Sequence, residues 1–192
     1  MRASPPAPEA LDVQQRARRG RIVATALELM LEREHESIQM KDVAAAAGVA
    51  LGTVYRYFSS KDHLFAEALL SWSQRFPSGP EVAIDGPSVE RLKTAYRRAA
   101  RAFERHPPVD GHLLAIQATT DHAAAEVFDR FASNQSDAFR SFLPRVPSPR
   151  REQIIDVMSA VLDTNLRDWS RGRRPIAVVY EALDVAAELL LS

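Results

Sequence analysis

Between Asp42 and Leu70 the chain reads DVAAAAGVALGTVYRYFSSKDHLFAEALL, and no other stretch constrains the fold as strongly. Val43, Ala46 and Ala47 give a short helix one apolar stripe, and Gly48 follows where the chain must turn sharply without a Cβ clash. The next helix carries Val54 and Phe58 at i and i+4, which puts both on its buried face. Thr53, Tyr55, Arg56 and Tyr57 are then left facing outward or sideways. A soluble helix seldom exposes two tyrosines and an arginine without a partner, and such a face suits the groove of double-stranded DNA. A core helix with ordinary aromatic packing is the competing reading, because short helix-turn-helix patterns also recur by accident.

The charge balance of zero says little about DNA binding until its distribution is read. From Val13 to Leu27 there are four arginines, Arg16, Arg18, Arg19 and Arg21, and no acid. The acids Glu28, Glu32, Glu34 and Glu36 follow directly. Basic charge therefore gathers at the start of the first helix, where an arm could reach phosphates or a minor groove; a solvated arginine run is the competing reading. Cysteine is absent, which excludes disulfides and cysteine-ligated zinc and fits a cytoplasmic protein. No apolar run approaches the ~20 residues a membrane-spanning helix needs.

Scarce glycine, with Ala, Leu, Arg and Glu abundant, favours helix throughout, and the expected fold is all-α with about nine helices. Residues 1–12 have the composition of a disordered arm, and residues 13–59 form the helix-turn-helix domain. A connecting helix occupies residues 60–76, capped by Ser59 or Ser60. The proline- and glycine-rich stretch 77–88 opens a C-terminal domain over residues 77–192. Within that domain the pattern predicts helices over 89–105, 111–120, 121–142, 151–170 and 175–191.

On the helix pair, Arg56 is the candidate for sequence readout, since its planar fork matches the two major-groove acceptors of guanine. Thr53 is short enough to approach a base edge or a phosphate, and Leu51 can meet a thymine methyl. Tyr55 and Tyr57 can donate hydroxyls to phosphates. Lys61 combines positive charge with a helix N-terminus, a natural phosphate seat, and Lys41 is a further phosphate candidate. For each of these residues the competing reading is a solvated surface position.

The segment GVALGTVYRYFSSKDHL closely resembles the signature of the TetR family of transcriptional regulators, and the likeness runs from about Arg16 to Trp72. The resemblance implies a DNA-binding domain of this fold, with Thr53, Tyr55, Arg56, Tyr57 and Lys61 at positions that commonly touch DNA. It also implies a C-terminal domain that holds a small-molecule effector and forms a homodimer through its last two helices. Gln39, Ala50 and Leu51 depart from the common pattern, in which the first two are usually better caps and the third is polar or basic. The run QMKDVAAAAGVALGTVYRYFSSKDHL is similar to the KstR-type branch, repressors of steroid and cholesterol breakdown, and VLDTNLRDWSRGRR echoes it near the C-terminus. That likeness implies a lipophilic effector such as a steroid-derived or other acyl-CoA thioester.

Tyr96, Phe103, Ile116, Gln117, Thr120, Phe128, Phe131, Asn165 and Trp169 mix apolar bulk with polar anchors and are the candidates to line an effector cavity. Ordinary core packing is the competing reading for most of them. Two apolar stripes are candidates for a four-helix dimer interface, one led by Ile154, Met158 and Leu162 and the other by Val179, Leu183 and Leu189; part of each can instead serve the monomer core. Enzymatic motifs are lacking, and no cofactor is implied. His112, His122 and Glu126 leave open a regulator that responds to a metal. A regulator of an unrelated small molecule, or an architectural DNA-binding protein, also stays open.

Overall fold

The computed structural model describes residues 11–75 and 86–192; most of the proposed arm and most of the proline-rich boundary therefore lie outside the described residues. Among the described residues the chain forms nine α-helices and one 3-10 turn, with no strand. The helices divide between two compact units.

The first unit takes in residues 11–75 and 111–132. Its opening helix, α1 (Val13–Glu32), starts at a reciprocal cap: Gln15 N–H donates to Asp12 Oδ1 at 2.8 Å, and Asp12 N–H donates to Gln15 Oε1. Ile22, Val23, Ala26, Leu27 and Met30 form its buried stripe. An extended Arg33 and a 3-10 turn at His35–Ser37 lead to α2 (Met40–Ala46). That helix buries Val43 and Ala44, whereas Ala46, expected on the apolar stripe, is exposed. It closes with the crossed hydrogen bonds of a Schellman motif, Val49 N–H to Ala44 O and Gly48 N–H to Ala45 O. Gly48 sits at φ 66°, the left-handed conformation that glycine adopts without cost.

The helix α3 (Leu51–Tyr57) follows, and α4 (Lys61–Ser73) begins at Ser60, whose Oγ accepts from His63 N–H at 3.0 Å. Ser60 is thus the cap; the Ser59 hydroxyl donates instead to Asp121. The unit is completed by the greater part of α6 (Pro108–Gln117) and the first half of α7 (His122–Ser141). Intra-unit bonds hold these pieces: Thr119 Oγ1 donates to Asp62 at 2.7 Å, and Arg130 pairs with Glu67. A division at residue 77 therefore differs from the grouping the structure makes. Helical periodicity marks Ile116, Ala124 and Val127 as buried, but it does not encode the distant partner they pack against.

The second unit comprises the described residues of 76–110 together with 133–192. Here α5 (Ser88–Arg105), α8 (Ser148–Ser170) and α9 (Ile176–Leu191) pack mutually. Ile154, Ile155, Met158, Leu162 and Leu166 of α8 and Val179, Leu183 and Ala187 of α9 are buried within it. The α8 stripe is thus mostly monomer core, whereas on α9 Val179 and Leu183 are buried and Leu189 is exposed. Large apolar side chains left exposed on these helices are Val157, Val185 and Leu189.

Candidate nucleic-acid interface

The helix α3 is short, and its position depends on what it buries. Val54 and Phe58 have no exposed surface, and Tyr57 is only 2% exposed. Around that anchor the opposite side presents Leu51, Gly52, Tyr55 and Arg56 to solvent, with Thr53 half-buried beside them. Leu51 and Tyr55 fall one turn apart, as do Gly52 and Arg56, so the four form a continuous face. Ala50 supplies no side-chain cap, and the first N–H groups of the helix point from its N-terminus, where an anion is favoured.

Tyr57, expected from the sequence to face outward or sideways, is buried. Its hydroxyl oxygen is sealed from solvent and meets no hydrogen-bonding partner within the described residues, while the Arg56 guanidinium lies 5.3 Å from its ring centroid. Tyr57 therefore packs beneath the exposed face and supports Arg56.

Lys61 is half-buried and turned toward the protein. Its Nζ donates to the carbonyls of His35, at 2.5 Å, and Ile38, at 3.0 Å, closing the turn between α1 and α2. Burial lowers the affinity of this amine for its proton, partly offset by Asp62 and Glu36. Arg19 is likewise drawn inward: it pairs with Glu67 at 2.7 Å and its guanidinium lies 5.0 Å from the Phe58 ring. Of the arginine run, Arg16 is exposed and donates to the Leu11 carbonyl, Arg18 is half-buried and Arg21 is exposed. Lys41 stands exposed on α2.

Gly52 joins this face although residue patterning does not single it out. Its φ is ordinary, and a Cβ built there meets no heavy atom within 4 Å. Among the described residues nothing requires glycine here, which in a helix costs roughly 1 kcal/mol relative to alanine. Its use on the exposed face fits close approach of an external backbone. The signal is present in the sequence, since a glycine within a helix otherwise weakens it.

Compared with known proteins, residues 22–68 match the model of the bacterial regulatory proteins, tetR family. The HTH-type transcriptional repressor KstR of Mycolicibacterium smegmatis is 32% identical over 180 residues, covering 92% of this chain and 88% of the relative. This chain belongs to the TetR family. The KstR repressor of Rhodococcus jostii is 31% identical over 178 residues, covering 92% of this chain and 84% of its own. A TetR transcriptional regulator from Rhodococcus sp. RHA1, solved as a crystal structure, superposes with a TM-score of 0.74 at 27% identity, covering 94% of this chain and 97% of that one. As a member of the TetR family the chain is a DNA-binding transcriptional regulator of the KstR-like kind, and not an enzyme.

The nine effector candidates divide between the two units. Ile116, Gln117, Thr120, Phe128 and Phe131 belong to the first. Gln117 and Thr120 are exposed there, and Phe128 and Phe131 hold their ring centroids 5.6 Å apart. Tyr96, Phe103, Asn165 and Trp169 belong to the second. Tyr96 is fully buried, stacks on Phe139 at 4.0 Å, and donates its hydroxyl to Ile155 O. Burial pushes its phenol pKa well above the usual tyrosine value. Asn165 donates to Val161 O and accepts from Arg174 at 2.6 Å, so its amide is occupied within its own helix region. Phe103 is buried and Trp169 half-buried.

The metal alternative is not assembled. His112 is fully buried and turned toward His35 and the Arg33 carbonyl, whereas His122 and Glu126 are exposed. Among the described residues no three His, Cys, Asp or Glu side chains gather as a metal set, and no helix is long and apolar enough to cross a membrane.

Proposed function

We propose that this chain is a cytoplasmic, effector-released repressor that binds a palindromic operator as a homodimer. The exposed face of α3, with Leu51, Gly52, Tyr55 and Arg56 held over buried Val54, Tyr57 and Phe58, carries this reading. Arg56 reads guanine, Leu51 meets a thymine methyl, and Gly52 admits the phosphate backbone against the helix. Lys41, Arg16 and Arg18 supply phosphate contacts, and Tyr55 and Thr53 border the groove.

Exposed Val157, Val185 and Leu189 on α8 and α9 favour pairing of two copies, since apolar side chains of this size gain by leaving water. A twofold dimer reads half-sites about 34–36 Å apart, or a multiple of that spacing. The resemblance of residues 39–64 to the KstR-type branch implies a lipophilic effector, with a steroid-derived or other acyl-CoA thioester as the first class to test. To move a regulator from almost wholly bound to almost wholly released, such an effector must prefer the released state by about 5.5 kcal/mol.

The test is a footprint of the purified protein on the promoter of its own gene, followed by addition of steroid and fatty acyl-CoA esters selected by thermal shift. Protection of a palindrome that an ester abolishes is the expected result. An ester that binds tightly and leaves the footprint unchanged overturns the release mechanism, while absence of any footprint overturns the choice of operator.

A further inference from the structure

Two histidines far apart in sequence face each other inside the first unit. His35 Nδ1 lies 3.2 Å from His112 Nδ1, and His112 Nε2 lies 2.8 Å from the Arg33 carbonyl oxygen. A carbonyl can only accept, so His112 Nε2 must carry a hydrogen. In the neutral ring its Nδ1 is then bare and can only accept from His35 Nδ1. Neutral His35 therefore holds its hydrogen on Nδ1 and leaves Nε2 bare, 3.7 Å from Asp62 Oδ1.

We propose that His35 and His112 form a proton-operated latch, which takes one proton without opening and releases α6 from the connector between α1 and α2 on taking a second. The first proton has a prepared place. Added to His35 Nε2, it points toward the Asp62 carboxylate, whose other oxygen is held by Thr119, and the contact with His112 survives. The second proton has none. The remaining bare nitrogen is His112 Nδ1, and a hydrogen there would confront the His35 N–H head-on, with both rings cationic.

The surroundings set the order of the two steps. On the connector, Glu36 favours the charged form of both rings, and Glu34 lies beside Gly111. On α4, Lys61 opposes protonation of both and Asp62 favours that of His35, while the Phe65 ring packs edge-on against the two imidazoles. On α6, His112 has no solvent-exposed surface. Desolvation opposes charge on either ring and does so most on His112, whose pKa falls to about 4.

The latch lies on the connector that Lys61 also braces, and α2 of the DNA-binding pair begins at its end. Opening it frees the entry to that pair from α6. The geometry stands apart from the choice of effector, because no ligand enters it.

Nitrogen NMR of the full chain, labelled with 15N in its histidine rings, tests the latch without any substitution. His112→Gln and His35→Gln serve to assign the signals. At a pH of about 7.5, His35 should show a protonated Nδ1 and bare Nε2, the tautomer that free histidine disfavours, and His112 the reverse. On acidification His35 should protonate first, and His112 should stay neutral to a pH at least about one unit lower. Amide exchange over residues 35–38, corrected for intrinsic rate, should then rise at least about tenfold as His112 titrates, and not in His112→Gln. A neutral His35 ring with its hydrogen on Nε2 overturns the proposal. So does titration of His112 before His35, or exchange that ignores the His112 titration.

Discussion

Gly52 and Tyr57 lie on opposite sides of the same short helix: a Cβ at Gly52 would meet no atom within 4 Å, and the Tyr57 hydroxyl meets no hydrogen-bonding partner among the described residues. Alanine fits Gly52 without meeting an atom, so Gly52→Ala should raise the thermal midpoint, by up to about 1 kcal/mol of stability, through better helix propensity. It should also weaken operator binding, because the added methyl stands where a phosphate backbone approaches. Equal operator affinity in a fluorescence titration would remove Gly52 from the interface. The part of this face that follows from spacing was legible in the sequence: Val54 and Phe58, one turn apart, are both fully buried. Tyr57 was not legible, since a position adjoining the apolar stripe can turn either way, and the depth of the groove beneath it depends on residues elsewhere in the chain.

At the scale of the element, α4 shows a helix start that local sequence marks and a leading cation whose partners local sequence does not reveal. A serine cap was apparent from sequence, and the structure selects Ser60. The destination of the Lys61 ammonium depends on two carbonyls, 26 and 23 residues earlier, that a local reading does not see. Lys61→Met should accordingly lower stability, by about 1.5–3 kcal/mol for lost hydrogen bonds to a charged group, while the salt dependence of DNA binding stays unchanged. Lys41→Met should do the opposite, with stability kept and the logarithmic salt slope reduced by about one. A reduced slope in the Lys61 variant would return that side chain to the phosphates. On α9, Leu189 is 72% exposed, so Leu189→Glu should leave the fold intact and shift sedimentation toward the monomer. An unchanged sedimentation coefficient would move the dimer interface away from this face.

Over the whole molecule, His112 ties stability to pH. Its folded pKa of about 4 lies below the ordinary 6.5, so between those values the unfolded chain binds the extra proton. Stability contributed by the neutral, buried ring is therefore full above about pH 6.5 and declines as the pH falls toward about 4, to a limit of about 3 kcal/mol. Urea unfolding across that range should show the decline in the native chain and a shallower one in His112→Gln. The all-helical architecture and the helix-turn-helix were readable from periodicity and turn chemistry. The partnership of His35 with His112, 77 residues away, was not, because hydrogen-bond complementarity between distant segments leaves no local pattern.

The first unit draws its residues from two separated stretches of chain, 11–75 and 111–132. During synthesis the N-terminal stretch leaves the ribosome well before its missing pieces. Phe65 meets the His112 ring, and Glu67 meets Arg130, only after the intervening segment has been made. A nascent chain halted near residue 75 should therefore remain sensitive to protease at α4, and protection should arrive only once the chain has extended past residue 132 beyond the exit tunnel. The capacity to bind DNA is in this sense acquired late, although its residues are translated first.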